Sequence, residues 1–483
     1  MSFVNIPHPD LFRQQAYIGG KWCDADSGKV LAVHNPATGE ILGTIPDMGV
    51  EEARRAITAA QNALPAWRAF PAKVRSRLLK RWFDLITARQ HDLAVLLTLE
   101  QGKPLSEAKG EIAYGAAYID WYAEEARRVA GQILPAPVSG QRVLVSKQPV
   151  GVCAAVTPWN FPNAMIARKV APALAAGCTF VARPASQTPF SALALAELAE
   201  QAGIPAGVFN VVTGAAEAIG RELTENPAVR KFSFTGSTEV GRKLMSQCAS
   251  TIKKVSLELG GNAPFIVFDD ADLEAAVAGA LAAKFRNAGQ TCVCANRIYV
   301  QQGIYTRFAE RFTAAVAKLR VGNGMEAHNE IGPLIDQRAL QRTLELLDDA
   351  RAHGGEVLCG GTHQSVFFAP TVIAAANDDM RLAHEEIFAP VAPLFVFADE
   401  DEVIRRANAT EYGLAAYLYS RDLARVFRVS EALEYGMVGV NTGVISNEAA
   451  PFGGMKQSGI GREGAAQGME EYLETKYIAL DGL

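Results

Sequence analysis

The segment "NAGQTCVCANR" (287–297) holds two cysteines, Cys292 and Cys294, one residue apart. Four chemistries fit such a pair: metal ligation, a disulfide, a nucleophile with a neighbour, or two small hydrophobes in a core. Metal ligation fits poorly. Cys-Val-Cys is not the Cys-x-x-Cys of zinc and redox sites, and no second cysteine pair exists. The seven histidines are scattered, and none lies within thirty residues of Cys292. A disulfide framework fits poorly too. The seven cysteines (Cys23, Cys153, Cys178, Cys248, Cys292, Cys294 and Cys359) are odd in number and thinly spread, which suits a reducing, cytoplasmic setting.

Further motifs stand at strand ends. "TPWNFP" (157–162) ends a strand. "LELGGNAP" (257–264) ends another strand with the carboxylate of Glu258 before a glycine pair. Two glycine-rich segments compete as phosphate cradles. "GIGREG" (459–464) matches G-x-G-x-x-G by letter, but it follows no strand, and only nineteen residues come after it. The strand-helix-strand unit is absent, so it is discounted. "KFSFTGSTEVGRKL" is better: a strand runs into Gly236 and Ser237 and a helix opens at once. Helix N-termini offer free N–H groups and partial positive charge to phosphate. Gly-Ser-Thr is equally an ordinary helix cap.

The elements that must position these residues are legible as rhythm. Residues 50–130 carry apolar residues at three-to-four spacing and predict helices. "QRVLVSKQ" (141–148) alternates and predicts a strand or hairpin. From about 150, short apolar runs ("VCAAVT", "TFVAR", "VFNVVTG", "KFSFTG") alternate with helical patterns, the rhythm of a parallel sheet wrapped by helices. A second α/β block begins near 256, with strands at "NAPFIVF", "RIYVQ" and "APLFVFA" and a helix from 271 to about 285. The chain of 483 residues is long enough for two or three domains. Hydrophobic residues make up 49% and charged residues 20%, so a folded globular protein is expected. A net charge of -5 argues against general nucleic-acid binding. No run of apolar residues is long enough to span a membrane, and no apolar signal core stands at the N-terminus.

Taken in order with "EEIFAPV" (385–391) and "PFGGMKQSGIGRE" (451–463), these segments resemble the aldehyde dehydrogenase superfamily across nearly the whole chain. "KFRNAGQTCVCANR", "VSLELGGNAPFIVFDDADLE" and "PASQTPFSALALAELA" are most similar to its succinate-semialdehyde dehydrogenase branch. The resemblance implies an α/β fold with three parts. A Rossmann-like cofactor domain would span 1–134 and 149–255, and an α/β catalytic domain 256–450. A small oligomerisation flap and C-terminal tail would combine 135–148 with 451–483, making a homodimer or homotetramer. It implies Cys292 as nucleophile, with a thiohemiacetal and then a thioester on its sulfur. Asn160 and the Cys292 N–H would hold the oxyanion, and Glu258 would be the base that activates water. Lys169 reads either as a solvated helix residue or, by the resemblance, as a neighbour of the active site.

The same comparison implies a nicotinamide cofactor held by Thr157, Pro158, Trp159, Arg183, Ser186, Gly236, Ser237, Glu386 and Phe388. "VARPASQTP" departs from the family pattern. It has Arg183-Pro184 where Lys-Pro is usual, and Ser186 where NAD-preferring members often carry glutamate. Glutamate would repel a 2′-phosphate, whereas serine donates to it and arginine binds it bidentately. The expectation is NADP, with NAD as a second cofactor and no metal. Arg168, Arg286 and Ser446 match the residues that hold a distal carboxylate in that branch, so the expected substrate is succinic semialdehyde. Glutarate semialdehyde or another ω-semialdehyde is the alternative, since one methylene is worth only about 1–3 kcal/mol in a pocket. A non-catalytic binding or structural protein on the same fold is the alternative of another class. Some branch members with paired cysteines form a reversible disulfide there. In a locally extended segment Cys294 would lie near the limit of disulfide reach from Cys292, which makes it a candidate redox partner.

Overall fold

The computed structural model describes residues 8–482. Two large sheets organise it. The first has eight strands in the order Lys21–Cys23, Ala16–Ile18, Phe209–Val211, Thr179–Arg183, Val152–Val156, Val229–Thr235, Lys254–Glu258, Gly459–Ile460. Its five central strands, from Phe209–Val211 to Lys254–Glu258, are parallel. Numbered along the chain those five run 3-2-1-4-5, so the winding reverses between Val152–Val156 and Val229–Thr235. Such a switch point opens a crevice beyond the carboxyl ends of the two strands. The second sheet has seven strands, ordered Glu356–Cys359, Thr371–Ala376, Val391–Phe397, Ala295–Gln301, Ala263–Val267, Ala415–Tyr419, Met437–Val440. All its neighbours are parallel except the first pair. Helices cover both faces, which is why short unbroken apolar runs serve as strands; Ala263–Val267 is buried at every position.

The helical texture of residues 50–130 becomes four helices, Val50–Ala69, Ala72–Ala88, Gln90–Gln101 and Leu105–Glu125. The helix Ala164–Ala176 is buried along its whole length and stops at Gly177, a left-handed glycine with φ +98°. It carries Arg168 and Lys169 into the interior, where each charge needs a partner. Among the described residues, no helix is long and apolar enough to cross a membrane.

A third sheet of three antiparallel strands joins Leu473–Leu480, Arg142–Pro149 and Gln132–Leu134. It draws strands from both 135–148 and 451–483. The sheet already includes Gln132–Leu134, and the segment before Leu473 does not join it. Gly459–Ile460 instead pairs with Leu257–Glu258 on the edge of the first sheet. An edge strand presents unpaired N–H and C=O groups, and any nearby extended segment can satisfy them. Two residues of strand leave no alternation to read.

Candidate active site

The crevice between the two sheets holds a cavity of about 540 Å³. It brings together most of the candidate residues. Pro158, Trp159, Gly236, Ser237, Glu386 and Phe388 line it, together with Asn160, Glu258 and Cys292 and with Arg168, Arg286 and Ser446. The first group sits where the fold dictates: Thr157 follows the strand Val152–Val156, and Gly236 follows Val229–Thr235, on the two sides of the switch point. Glu258 ends the next strand. The second sheet contributes the turn before Ala295–Gln301, with Cys292, and the loop before Val391–Phe397, with Glu386 and Phe388.

The nucleophile turn is built under strain. Asn287, Ala288 and Gly289 take positive φ values of 52°, 54° and 73°. A left-handed residue other than glycine costs roughly 1–2 kcal/mol, so the surroundings must enforce it. They do so through the Asn287 side chain, which donates to Asn160 O at 3.1 Å and Gln290 O at 3.2 Å. Gly261 permits the close approach of the Glu258 loop: a Cβ there would lie 2.3 Å from Cys292 O. The Cys292 N–H has no acceptor among the described residues. Asn160 Nδ2 donates one hydrogen to Gln290 O at 3.1 Å, which leaves its second hydrogen unused. Two donors are therefore available beside the sulfur.

Behind Glu258 lies a buried charge network. Glu463 bridges Arg168 and Lys169, and Lys169 Nζ also donates to Thr235 Oγ1 at 2.7 Å. Lys169 is fully buried, so the reading of it as a solvated helix residue is corrected. Burial opposes the charge on Glu463, but Arg168 and Lys169 outweigh it and hold this carboxyl below its ordinary value. Burial, reinforced by the Glu463 charge, pushes Glu258 well above the carboxylate range. Both Glu258 oxygens lack a protein partner. The two carboxyl groups are driven apart: Glu463 is held low as the partner of Arg168 and Lys169, and Glu258 is pushed high.

The aldehyde dehydrogenase family model matches residues 22–478. This chain belongs to the aldehyde dehydrogenase family. It is 62% identical to the NADP(+) succinate-semialdehyde dehydrogenase GabD of Escherichia coli over 99% of this chain and 100% of that protein. It is also 62% identical to the glutarate-semialdehyde dehydrogenase of Pseudomonas aeruginosa, with the same coverage. A solved structure of succinate-semialdehyde dehydrogenase from Burkholderia pseudomallei superposes with a TM-score of 0.98 at 59% identity, covering 100% of both chains.

In this aldehyde dehydrogenase the cavity does not reach every cofactor candidate. Thr157, Arg183 and Ser186 lie outside its lining. Thr157 N–H donates to Arg183 O at 3.1 Å, which keeps the two strand ends together. Arg183 is buried, and burial alone lowers its guanidinium to about 10. It makes no ion pair among the described residues; its Nη2 donates to Ser186 Oγ at 2.9 Å and Gly214 O at 2.8 Å, and its Nε is unpaired. Trp159 and Phe388, both in the cavity lining, meet edge to face at 5.6 Å. Glu386 Oε1 accepts from Gly261 N at 3.1 Å, and burial pushes its carboxyl up to about 7.

Cys294 is placed differently from the extended geometry expected. Residues 291–294 form a turn closed by Cys294 N–H to Thr291 O at 3.1 Å. The Cys294 sulfur, 4% exposed, faces the Lys284 carbonyl at 3.3 Å and does not line the cavity. A bond to Cys292 would require it to leave that contact. Sequence reading also gave no role to Glu463, Lys103 or Glu111. The first sits within a motif already noted; the other two become visible only as a buried ion pair.

Cys292 is half-buried, open only toward the cavity, and desolvation pushes its thiol up to about 12, with Arg168 pulling the other way. A raised thiol pKa means little thiolate at any pH below it. Alkylation of Cys292 by iodoacetamide in the cofactor-free enzyme should therefore rise about tenfold per pH unit from 7 to 9, following the thiolate fraction. Peptide mass spectrometry would separate it from Cys23 and Cys359. A rate already level at pH 7 would show that the free enzyme holds a thiolate.

Proposed function

We propose that this enzyme oxidises succinic semialdehyde to succinate, with NADP as the preferred cofactor and NAD as the second. The observation that carries the substrate is Arg286. It lines the cavity half-buried, over the Phe161 ring at 5.3 Å, with neither ion pair nor hydrogen bond among the described residues. Arg168 adds an unpaired Nη2, although Glu463 cancels much of its charge. Ser446 adds a hydroxyl to the cavity lining. An aldehyde whose far end is a carboxylate satisfies this end of the cavity and leaves its carbonyl for Cys292.

The Cys292 thiol gives up its proton to solvent as its sulfur bonds to the carbonyl carbon, and the carbonyl oxygen, now an oxyanion, accepts from the Cys292 N–H and the free Asn160 Nδ2 hydrogen. When bound, the nicotinamide accepts the hydride. Glu258, poised high by burial and by Glu463, removes a proton from the water that attacks the thioester on Cys292. The apolar residues Ile133 and Tyr477, 75% and 66% exposed on the three-stranded sheet, support its covering by another copy of the chain as dimer or tetramer. A panel of aldehydes varied in length and terminal charge tests the substrate reading. Succinic semialdehyde should exceed the uncharged aldehyde of equal length in kcat/KM by two orders of magnitude or about 100-fold, the scale of a desolvated charge contact. A preference for the uncharged aldehyde would overturn it. Higher kcat/KM with glutaric semialdehyde would move the reading to that neighbour.

The cofactor reading rests on the unpaired Arg183 beside Ser186. Ser186 Oγ accepts from Arg183, so its own hydrogen is free to donate to a 2′-phosphate. Ser186→Glu would fill that place with negative charge. The ratio of kcat/KM for NADP over NAD should fall about 10- to 100-fold, the scale of one charge-assisted hydrogen bond. An unchanged ratio would place the phosphate elsewhere.

A further inference from the structure

Lys103 is buried at the end of the segment after Gln90–Gln101, and its ammonium has three distinct neighbours. Nζ donates to Glu111 Oε2 at 2.6 Å and to Asn160 O at 2.8 Å, and it lies 3.7 Å from the centre of the Phe161 ring. Glu111 in turn accepts from Asn163 N at 3.0 Å and Ala164 N at 3.3 Å, at the start of the helix that carries Arg168 and Lys169. The Asn160 carbonyl thus receives two donors. One is Lys103, from the helical layer; the other is Asn287 Nδ2, from the strained turn before Cys292. The Phe161 ring that Lys103 faces is also the one beneath Arg286.

A buried ion pair is a poor device for stability alone, because apolar residues of similar shape often serve as well. This pair instead fixes the peptide that aims the Asn160 amide. We infer that Lys103, held by Glu111, is a positioning residue for the oxyanion hole, setting the direction of Asn160 Nδ2 toward the acyl oxygen and tying it, through Phe161, to the arginine that faces the substrate's far end. The inference rests on the reading of Asn160 as an oxyanion donor. Lys103 lines the cavity, but its ammonium is engaged by Glu111 and the Asn160 carbonyl. Its effect passes through the Asn160 carbonyl, and a displacement of about 1 Å at such a donor costs on the order of 100-fold in rate.

The test uses the full-length enzyme with Lys103→Met, the charge-balanced Lys103→Met/Glu111→Gln, and Asn160→Ala. Two rates are compared: the rapid-mixing burst of reduced cofactor, and alkylation of Cys292 by iodoacetamide. Attack on a carbonyl builds an oxyanion; displacement of iodide from the iodoacetamide carbon by the sulfur builds none. In the double variant the burst should slow about 10- to 100-fold, with aldehyde KM and the alkylation rate near native. The double variant avoids leaving Glu111 buried without its cation, so it remains informative if Lys103→Met does not fold. A native burst in the double variant, with a slow burst in Asn160→Ala, overturns the role of Lys103 alone. A native burst in Asn160→Ala overturns the oxyanion reading itself. Equal losses of burst and alkylation mark a general distortion of the turn and overturn the positioning role.

Discussion

Cys292→Ala should lose aldehyde oxidation by on the order of 10⁴ to 10⁶ in kcat, the scale of removing a covalent nucleophile. Cofactor binding should survive, because Cys292 sits in the second sheet's turn while Arg183, Gly236 and Ser237 belong to the first. Glu258→Gln completes the argument. It keeps the shape of Glu258 and removes its basicity. Acylation should then proceed and hydrolysis stall, giving a burst of about one reduced cofactor per site followed by slow turnover. The buried position of Glu258 near Glu463, Arg168 and Lys169 is what makes the substitution informative: an amide of the same shape removes the base, while Glu463 keeps its own pairing with Arg168 and Lys169, so little else should move. Steady turnover at the native rate in either variant would refute the assignment, and titration calorimetry with the cofactor would show whether binding was spared.

Arg286→Ala should lower kcat/KM for succinic semialdehyde by about 30-fold to a few thousand-fold. Truncating one partner of a buried charge contact costs about 2–5 kcal/mol. An uncharged aldehyde should be affected little, because Arg286 has no structural ion pair to lose. Arg168→Ala is expected to behave otherwise. Its removal leaves Glu463 buried against Lys169 alone and takes away the cation 4.3 Å from the Phe452 ring. Charged and uncharged aldehydes should then suffer alike. The two arginines look equivalent in the sequence, and this pair of kinetic profiles separates them. Equal losses for both aldehydes in Arg286→Ala would mean that it, too, is structural.

Much of the framework was open to reading along the chain. "NAPFIVF" is a strand because five successive buried residues suit a sheet covered on both faces. The helix expected from 271 to about 285 appears as Leu273–Phe285, started by the Asp272 side chain. The glycine-rich "GIGREG" was set aside as a phosphate cradle for want of a strand, and Gly459–Ile460 is in fact an edge strand of the first sheet. Cys292, Glu258 and Asn160 were singled out through the resemblance of their motifs to the aldehyde dehydrogenase family, and they line one cavity.

What the sequence determined by itself, then, was local: the periods that make strands and helices, the strand ends where Thr157, Gly236 and Glu258 stand, and a thiol, a carboxyl and an amide of suitable kind. Which of those groups meet, and in what state of charge, was decided only by the tertiary structure. Lys103 and Glu111 lie near Asn160 because separate helices pack against one loop. Arg168 and Lys169 lose water when their whole helix is buried, and their charges are answered by Glu463, nearly three hundred residues later. Desolvation and Coulomb interaction depend on distance in space and on the water excluded between groups. Neither quantity exists along a chain until it is folded, so the high Cys292 thiol, the poised Glu258 and the unpaired Arg183 and Arg286 belong to the fold.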